Sequence, residues 1–485
     1  MVKRLLKERE DDNLNPLFLN IGDNFQGTLW YDLLGWNVTS TFLNILPADA
    51  TTLGNHEFDR GLEGVVPFMK ALKSPIVVAN LDDRDEPSIR GLYKKSIIVE
   101  RGGRKIGLVG ALVVATVEIS NTEKLKILDE IESVKKEADR LRAEDDVDIV
   151  IVLSHCGLTI DRRMAKEGGS NIDVIVGGHS HSLLYTGSVV PGPDIPADTY
   201  PIVTNQGNGH KVLIVQASAY TKYLGDLVVY FDDQGEIQEF QGNTIFVEHS
   251  IVPDEDVIRQ MAPWKAEVDK IALREVGTVK TTLYQKDCAR DECTFGNFVT
   301  DAFVEYFINH DDYQGEDDAW SYGTIATTNA GGIRTSLTPG LVTYDDLFTA
   351  LPFQNTIDSF ELRGDHLIEA LEFSSAAYGT YNFLQFSGMK VVVNVTMPKN
   401  HRVVSVDVLC RRCFVPKYEK LDTTKYYRMI VPSFIAAGGN GFVTFGQNRM
   451  NYRAGDLKDI EIVEKYMKQL SPVIQKKDGR ITVLK

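Results

Sequence analysis

Four short apolar runs within the first 181 residues each end on residues able to bind a metal, and few folds accommodate that pattern. They are Leu17-Phe18-Leu19-Asn20-Ile21-Gly22-Asp23, Ala50-Thr51-Thr52-Leu53-Gly54-Asn55-His56-Glu57, Ile149-Val150-Ile151-Val152-Leu153-Ser154-His155 and Val174-Ile175-Val176-Gly177-Gly178-His179-Ser180-His181. Each reads as a buried strand, and in open α/β sheets ligands gather beyond the carboxyl ends of the strands. Asp, Asn and His arriving there from several strands can converge on cations. Carboxylate, amide oxygen and imidazole suit Zn²⁺ or Mn²⁺, whereas Cu(I) and iron–sulfur clusters call for cysteine-rich sites.

A chain of 485 residues exceeds one ordinary core and is expected to form two or three domains. A net charge of −16 argues against a nucleic-acid surface, since phosphate backbones would be repelled over most of the exterior. No run of about 18 apolar residues suggests a membrane span. The basic, then acidic, opening from Met1 to Glu10 lacks the apolar centre of a secretory signal. The cysteines and sequons point to an oxidising compartment instead. Cys288 with Cys293 and Cys410 with Cys413 are spaced to close small disulfide rings, reduced thiols being the alternative, while Cys156 stands alone. Asn37-Val38-Thr39 and Asn394-Val395-Thr396 are glycosylation sequons.

Residues 1–250 alternate strand-like runs with amphipathic stretches, the pattern of an α/β layered domain. Ile127, Ile131, Val134, Ala138 and Leu141 recur at helical spacing. Lys211–Gln216 and Leu224–Phe231 read as an antiparallel edge. Residues 251–276 read as a linker helix broken at Pro263, and 277–485 as a second domain with helices near Phe295–Phe307 and Asp365–Phe373 and a strand at Lys390–Val395.

Gly54-Asn55-His56-Glu57-Phe58-Asp59 sets an amide ligand beside an imidazole whose other ring nitrogen Asp59 can hold. Taken singly, these residues have plainer readings. Asp23 can cap a helix, His155 can be a satisfied buried histidine, and Phe353 and Phe434 can be core. Yet four of the nine histidines fall at these strand ends, which the plainer readings leave to coincidence. Gly177-Gly178 before His179 lets backbone approach a ligand closely.

Gly22-Asp23, the Gly54–Asp59 motif, Ser154-His155 and Gly177-Gly178-His179-Ser180 resemble the calcineurin-like metallophosphoesterase domain of the 5'-nucleotidase family. The second half continues the resemblance with Asn329-Ala330-Gly331-Gly332-Ile333-Arg334, Leu351-Pro352-Phe353 and Phe434 to Phe442, nearest to animal ecto-5'-nucleotidases and secreted arthropod apyrases. It implies a layered αββα domain followed by an α+β substrate-binding domain. It implies two divalent metal ions, zinc first and manganese or another divalent ion as alternatives, with ligands Asp23, Asn55, His155, His179 and His181. His56, oriented by Asp59, would be catalytic. Asn329, Arg334, Phe353, Phe434 and Asn440 would bind the nucleotide, with Phe353 and Phe434 sandwiching the base. Arg290 stands one place beyond the family's arginine. A homodimer through the C-terminal domain is also open.

The family's Asp-x-His motif, which lies upstream of Gly-Asp, is not among the 22 residues before Asp23. The resemblance therefore implies an N-terminally truncated chain whose full-length parent is extracellular or at the cell surface. Neither a signal peptide nor a GPI signal is read in this chain. The expected activity is removal of the 5'-phosphate of nucleoside monophosphates, AMP first. An apyrase acting on ATP and ADP is one alternative, and a nucleotide-binding protein with impaired catalysis is another.

Overall fold

The computed structural model describes residues 1–309 and 319–485, which fold as two compact units. The first comprises Met1–Gln26 and Leu34–Trp264, the second Gly27–Leu33 and Lys265–Lys485.

In the first unit β1 (Leu19–Asn20) pairs in parallel with β2 (Ala50–Thr51). The main sheet has six strands: β3 (Ser96–Arg101), β4 (Arg104–Leu112), β5 (Ile149–His155), β6 (Val174–Gly177), β7 (Ile202–Asn205) and β8 (Lys211–Val215). Their order is β3-β4-β5-β6-β8-β7, with β4, β5, β6 and β8 parallel and antiparallel strands at both edges. A parallel sheet must be covered on both faces, which is why β5 is apolar from Ile149 to Leu153. Val150 and Val152 join the core beneath helices Glu130–Glu144 and Leu158–Glu167, while Ile149 and Leu153 join a second core with Leu19 and Ile21. Helix Glu130–Glu144 buries Ile131, Val134, Ala138 and Leu141 at intervals of three and four, and Asp129 caps it by accepting from Glu132 N–H at 2.9 Å. Fully burying Leu141 contributes on the order of 2 kcal/mol.

Three sequence expectations need correction. Lys211–Val215 does not pair with the strand after it. Its four buried residues of five sit inside the main sheet, between β6 and β7. The following strand, β9 (Tyr223–Phe231), forms its own ribbon with β10 (Ile237–Phe246). Ile127 lies in a short strand before the helix rather than in it. Helix Glu255–Ala272 is not broken at Pro263, because that residue is exposed and water can satisfy the carbonyl left without its N–H. The polar opening segment is itself a helix, Val2–Asp11, whose Arg9 pairs with Asp226.

The second unit holds a five-stranded sheet of β11 (Ile325–Asn329), β12 (Ile357–Arg363), β13 (Leu384–Ser387), β17 (Tyr426–Pro432) and β18 (Met450–Arg453), in the order β13-β11-β17-β12-β18. A four-stranded sheet runs β16-β15-β14-β19, with β14 (Met389–Asn394), β15 (Val403–Leu409), β16 (Tyr418–Lys420) and β19 (Ile481–Leu484). Helices Thr294–Asn309 and Gly364–Ala376 fall where helical spacing places them. Cys288–Cys293 and Cys410–Cys413 are disulfides, and Cys156 is a buried thiol.

Candidate metal centre

Four strand ends of the first unit meet. Asp23 follows β1, Asn55 follows β2, His155 closes β5 and His179 follows β6. Asp23, His155 and His179 offer ligand atoms within 4.8 Å of one another. Asn55 joins them, its Oδ1 lying 2.9 Å from His179 Nδ1. The approach depends on glycine, because a Cβ on Gly54 would collide with Asp23 Oδ1. Asp23 and His179 both hold positive φ, at 54° and 68°, a conformation disfavoured for residues with a side chain and often found where a site imposes it.

The decisive pair is His155 with Asp23. His155 Nδ1 lies 2.6 Å from the carbonyl of Ile21, which can only accept, so Nδ1 carries the hydrogen. Nε2 lies 3.0 Å from Asp23 Oδ2, buried and without a hydrogen bond of acceptable geometry. A buried ring nitrogen and a carboxylate oxygen at that distance need positive charge between them, which a proton on Nε2 or a metal ion in its place supplies. Burial would raise the Asp23 carboxyl, but the neighbouring His155 and His56 outweigh it and hold the carboxyl far below its usual range. Burial, helped by His155, pushes His179 down to about 4, leaving the neutral imidazole that metals bind. The oxygen and nitrogen donors fit a zinc- or manganese-like divalent ion.

Beside the cluster, His56 Nδ1 lies 2.7 Å from Asp59 Oδ2, and His56 N–H donates to Asp23 Oδ1 at 3.0 Å. Asp59 is held in turn by Ser120 Oγ at 2.9 Å. His181 stands outside the Asp23–His155–His179 group, its ring 5.3 Å from that of Tyr220.

In the second unit, β11 and β17 run parallel, so Asn329 and Phe434, at their carboxyl ends, lie at one end of the sheet. The antiparallel neighbours bring Tyr381 and Phe353 to that end from the starts of β13 and β12. Asn329 Nδ2 donates to the Tyr381 carbonyl at 3.1 Å. The Arg334 guanidinium lies 5.6 Å from the Phe353 ring and 5.4 Å from the Tyr381 ring. Phe434 packs on Gly439, where a Cβ would meet the ring at 2.6 Å. The Asn440 carbonyl accepts from Asn382. Arg290 is exposed, with Nε 3.6 Å from where a Cβ on Gly379 would sit. Sequence reasoning missed Tyr381, since a lone tyrosine before a strand carries no signal of its own.

Comparison with known proteins follows the same division. The calcineurin-like phosphoesterase model matches residues 1–183 and the 5'-nucleotidase C-terminal domain model residues 275–447. An apyrase of Tabanus yao is 43% identical over 485 residues, spanning 99% of this chain and 86% of its own. The chain belongs to the 5'-nucleotidase family. Within that family, mouse 5'-nucleotidase is 36% identical over 96% of this chain and 82% of its own. The crystal structure of a 5'-nucleotidase precursor from Thermus thermophilus superposes with a TM-score of 0.88 at 33% identity, covering 97% of this chain and 90% of the other. Calcineurin-like phosphoesterases bind divalent metal ions, in keeping with the donor set at Asp23. Among the described residues no helix is long and apolar enough to cross a membrane.

Proposed function

We propose that this 5'-nucleotidase family member hydrolyses nucleoside 5'-monophosphates, AMP to adenosine and phosphate. The reading rests first on the buried His155 Nε2 facing Asp23 Oδ2 at 3.0 Å, an arrangement suited to a cation and so to phosphoryl chemistry. Asp23, Asn55, His155 and His179 would hold one divalent ion, and Asp23 and His181 would contribute to a second. Bound there, such ions polarise a phosphoryl oxygen and acidify water.

The remaining work falls to side chains. Asp59 accepts from His56 Nδ1, which orients the other ring nitrogen. Protonated, that nitrogen offers an N–H to the charge that grows on the phosphoryl oxygens. A water oxygen bonds to phosphorus as the bond to the 5' oxygen breaks, and the nucleoside leaves with a proton. In the second unit Phe353 and Phe434 would stack on the base, Arg334 would meet phosphate, and Asn329 and Asn440 would hydrogen-bond the nucleoside.

An apyrase is the second reading, favoured by the 43% identity to the Tabanus yao protein of that name. Phosphate release from AMP, ADP and ATP with Zn²⁺ or Mn²⁺ separates the two. Turnover of AMP supports the first reading. Turnover of ADP and ATP with none of AMP overturns it.

A further inference from the structure

Directly after His56 sits a carboxylate that the chemistry above does not use. Glu57 is fully buried, and its hydrogen-bond partners among the described residues are four backbone amides rather than a cationic side chain. Oε2 accepts from Asp23 N–H at 2.9 Å and Gly54 N–H at 2.5 Å, while Oε1 accepts from Asn24 N–H at 2.5 Å and Phe25 N–H at 3.3 Å. Burial and the nearby Asp23 charge push this carboxyl up from its ordinary value. Two backbone donors nonetheless converge on each of its oxygens, so the side chain acts as a clamp on the backbone around it.

The donors come from two turns. One follows β1 and carries Asp23, and the other follows β2 and leads to Asn55. β1 and β2 are only two residues long each, too short a ladder to fix the turns beyond them. Asp23 must nonetheless keep φ near 54°, a conformation that persists only where its surroundings over-determine it. The neighbouring His56 N–H holds the Asp23 side chain while Glu57 holds its backbone.

We infer that Glu57 is a positioning residue that fixes Asp23 and the Gly54–Asn55 turn in their ligating arrangement and so sets the cation affinity of the centre. The inference rests on the metal-centre reading above. Glu57→Gln keeps the size but turns an NH₂ toward two N–H donors.

The test is Mn²⁺ binding by titration calorimetry on the full chain, with thermal unfolding of the metal-free protein alongside. Glu57→Gln is expected to weaken Mn²⁺ binding at least roughly tenfold, the range seen when the outer partners of metal ligands are removed. Saturating Mn²⁺ should restore most of kcat. Unchanged Mn²⁺ affinity, with only a lower unfolding temperature, overturns the inference by leaving Glu57 a merely structural role. Should the glutamine variant not fold, Glu57→Asp keeps the charge and reaches fewer amides, and an unchanged affinity there overturns it equally. A wild-type chain that binds no Mn²⁺ or Zn²⁺ overturns the metal-centre reading itself, a result distinct from equal binding by wild type and variant.

Discussion

His155 Nε2 lies 3.0 Å from Asp23 Oδ2 while the opposite nitrogen of the same ring is engaged by the carbonyl of Ile21. Replacing either partner removes a donor that no neighbour can supply. His155→Ala and Asp23→Asn should each lower bound metal per chain, measured by elemental analysis, and cut phosphate release from AMP by at least about 10²-fold. Retention of full metal content by both variants would exclude these residues as ligands.

His56 offers a different signature, because the proposal places it on the reacting phosphoryl group rather than on the cation. His56→Ala is expected to lower kcat by about 10²- to 10³-fold with metal content kept. Asp59→Asn, which disturbs only the orientation of the ring, should cost about tenfold. A variant that lost metal as well would move His56 into the ligand set.

Stacking on the base is separable from chemistry at phosphorus. Phe434→Ala and Phe353→Ala should each raise KM for AMP by about 10- to 100-fold, the equivalent of ~1–3 kcal/mol per stacked base. Hydrolysis of p-nitrophenyl phosphate, which has no nucleoside, should stay near the wild-type rate. Equal losses on both substrates would return the two rings to core packing.

A buried carboxyl in the second unit gives a pH dependence of known sign. Burial raises Asp459 from the ordinary 3.8 to about 7, against the pull of its hydrogen bonds to Ile460 and Asn355. The folded state therefore holds a proton that the unfolded chain releases above about pH 4. The associated stability is fully present below pH 3.8 and is lost as pH rises to about 7, a difference of ~4 kcal/mol. Asp459→Asn should flatten that part of the curve, so denaturant unfolding of wild type and variant at pH 4, 6 and 8 should diverge as pH rises. Parallel curves would show that the proton is not retained.

Removing the Cys288–Cys293 bond tests how far a small ring matters. Its loop spans five residues, and the Cys288→Ala and Cys293→Ala pair should cost ~2 kcal/mol by loop entropy. Thermal unfolding under non-reducing conditions would measure it, with no loss expected of Mn²⁺ bound in the first unit.

The strand ends were legible because β5 and β6 are buried on both faces and so spell unbroken apolar runs that stop at His155 and Gly177. The same rule holds for Lys211–Val215, whose four buried residues of five put it inside the parallel sheet. Its neighbour in sequence, Tyr223–Phe231, is half-exposed along most of its length and belongs to a ribbon. Pro263 lies inside a continuous helix because its exposed turn leaves room for the ring and water for the carbonyl that loses its N–H. The amide clamp of Glu57 was out of reach of any motif. Three of its four donors lie more than thirty residues away, and only folding brings the two turns together.

Ile21, Gly22 and Asp23 are consecutive, and the first and last of them act on one imidazole: a carbonyl that takes the hydrogen of Nδ1 and a carboxylate that faces Nε2. The turn thus works as a gauge of chain length. Inserting or deleting one residue between Leu19 and Asp23 would move both groups at once, leaving His155 with the wrong proton as well as the wrong neighbour. Drift in this stretch is therefore confined to side-chain identity and closed to length.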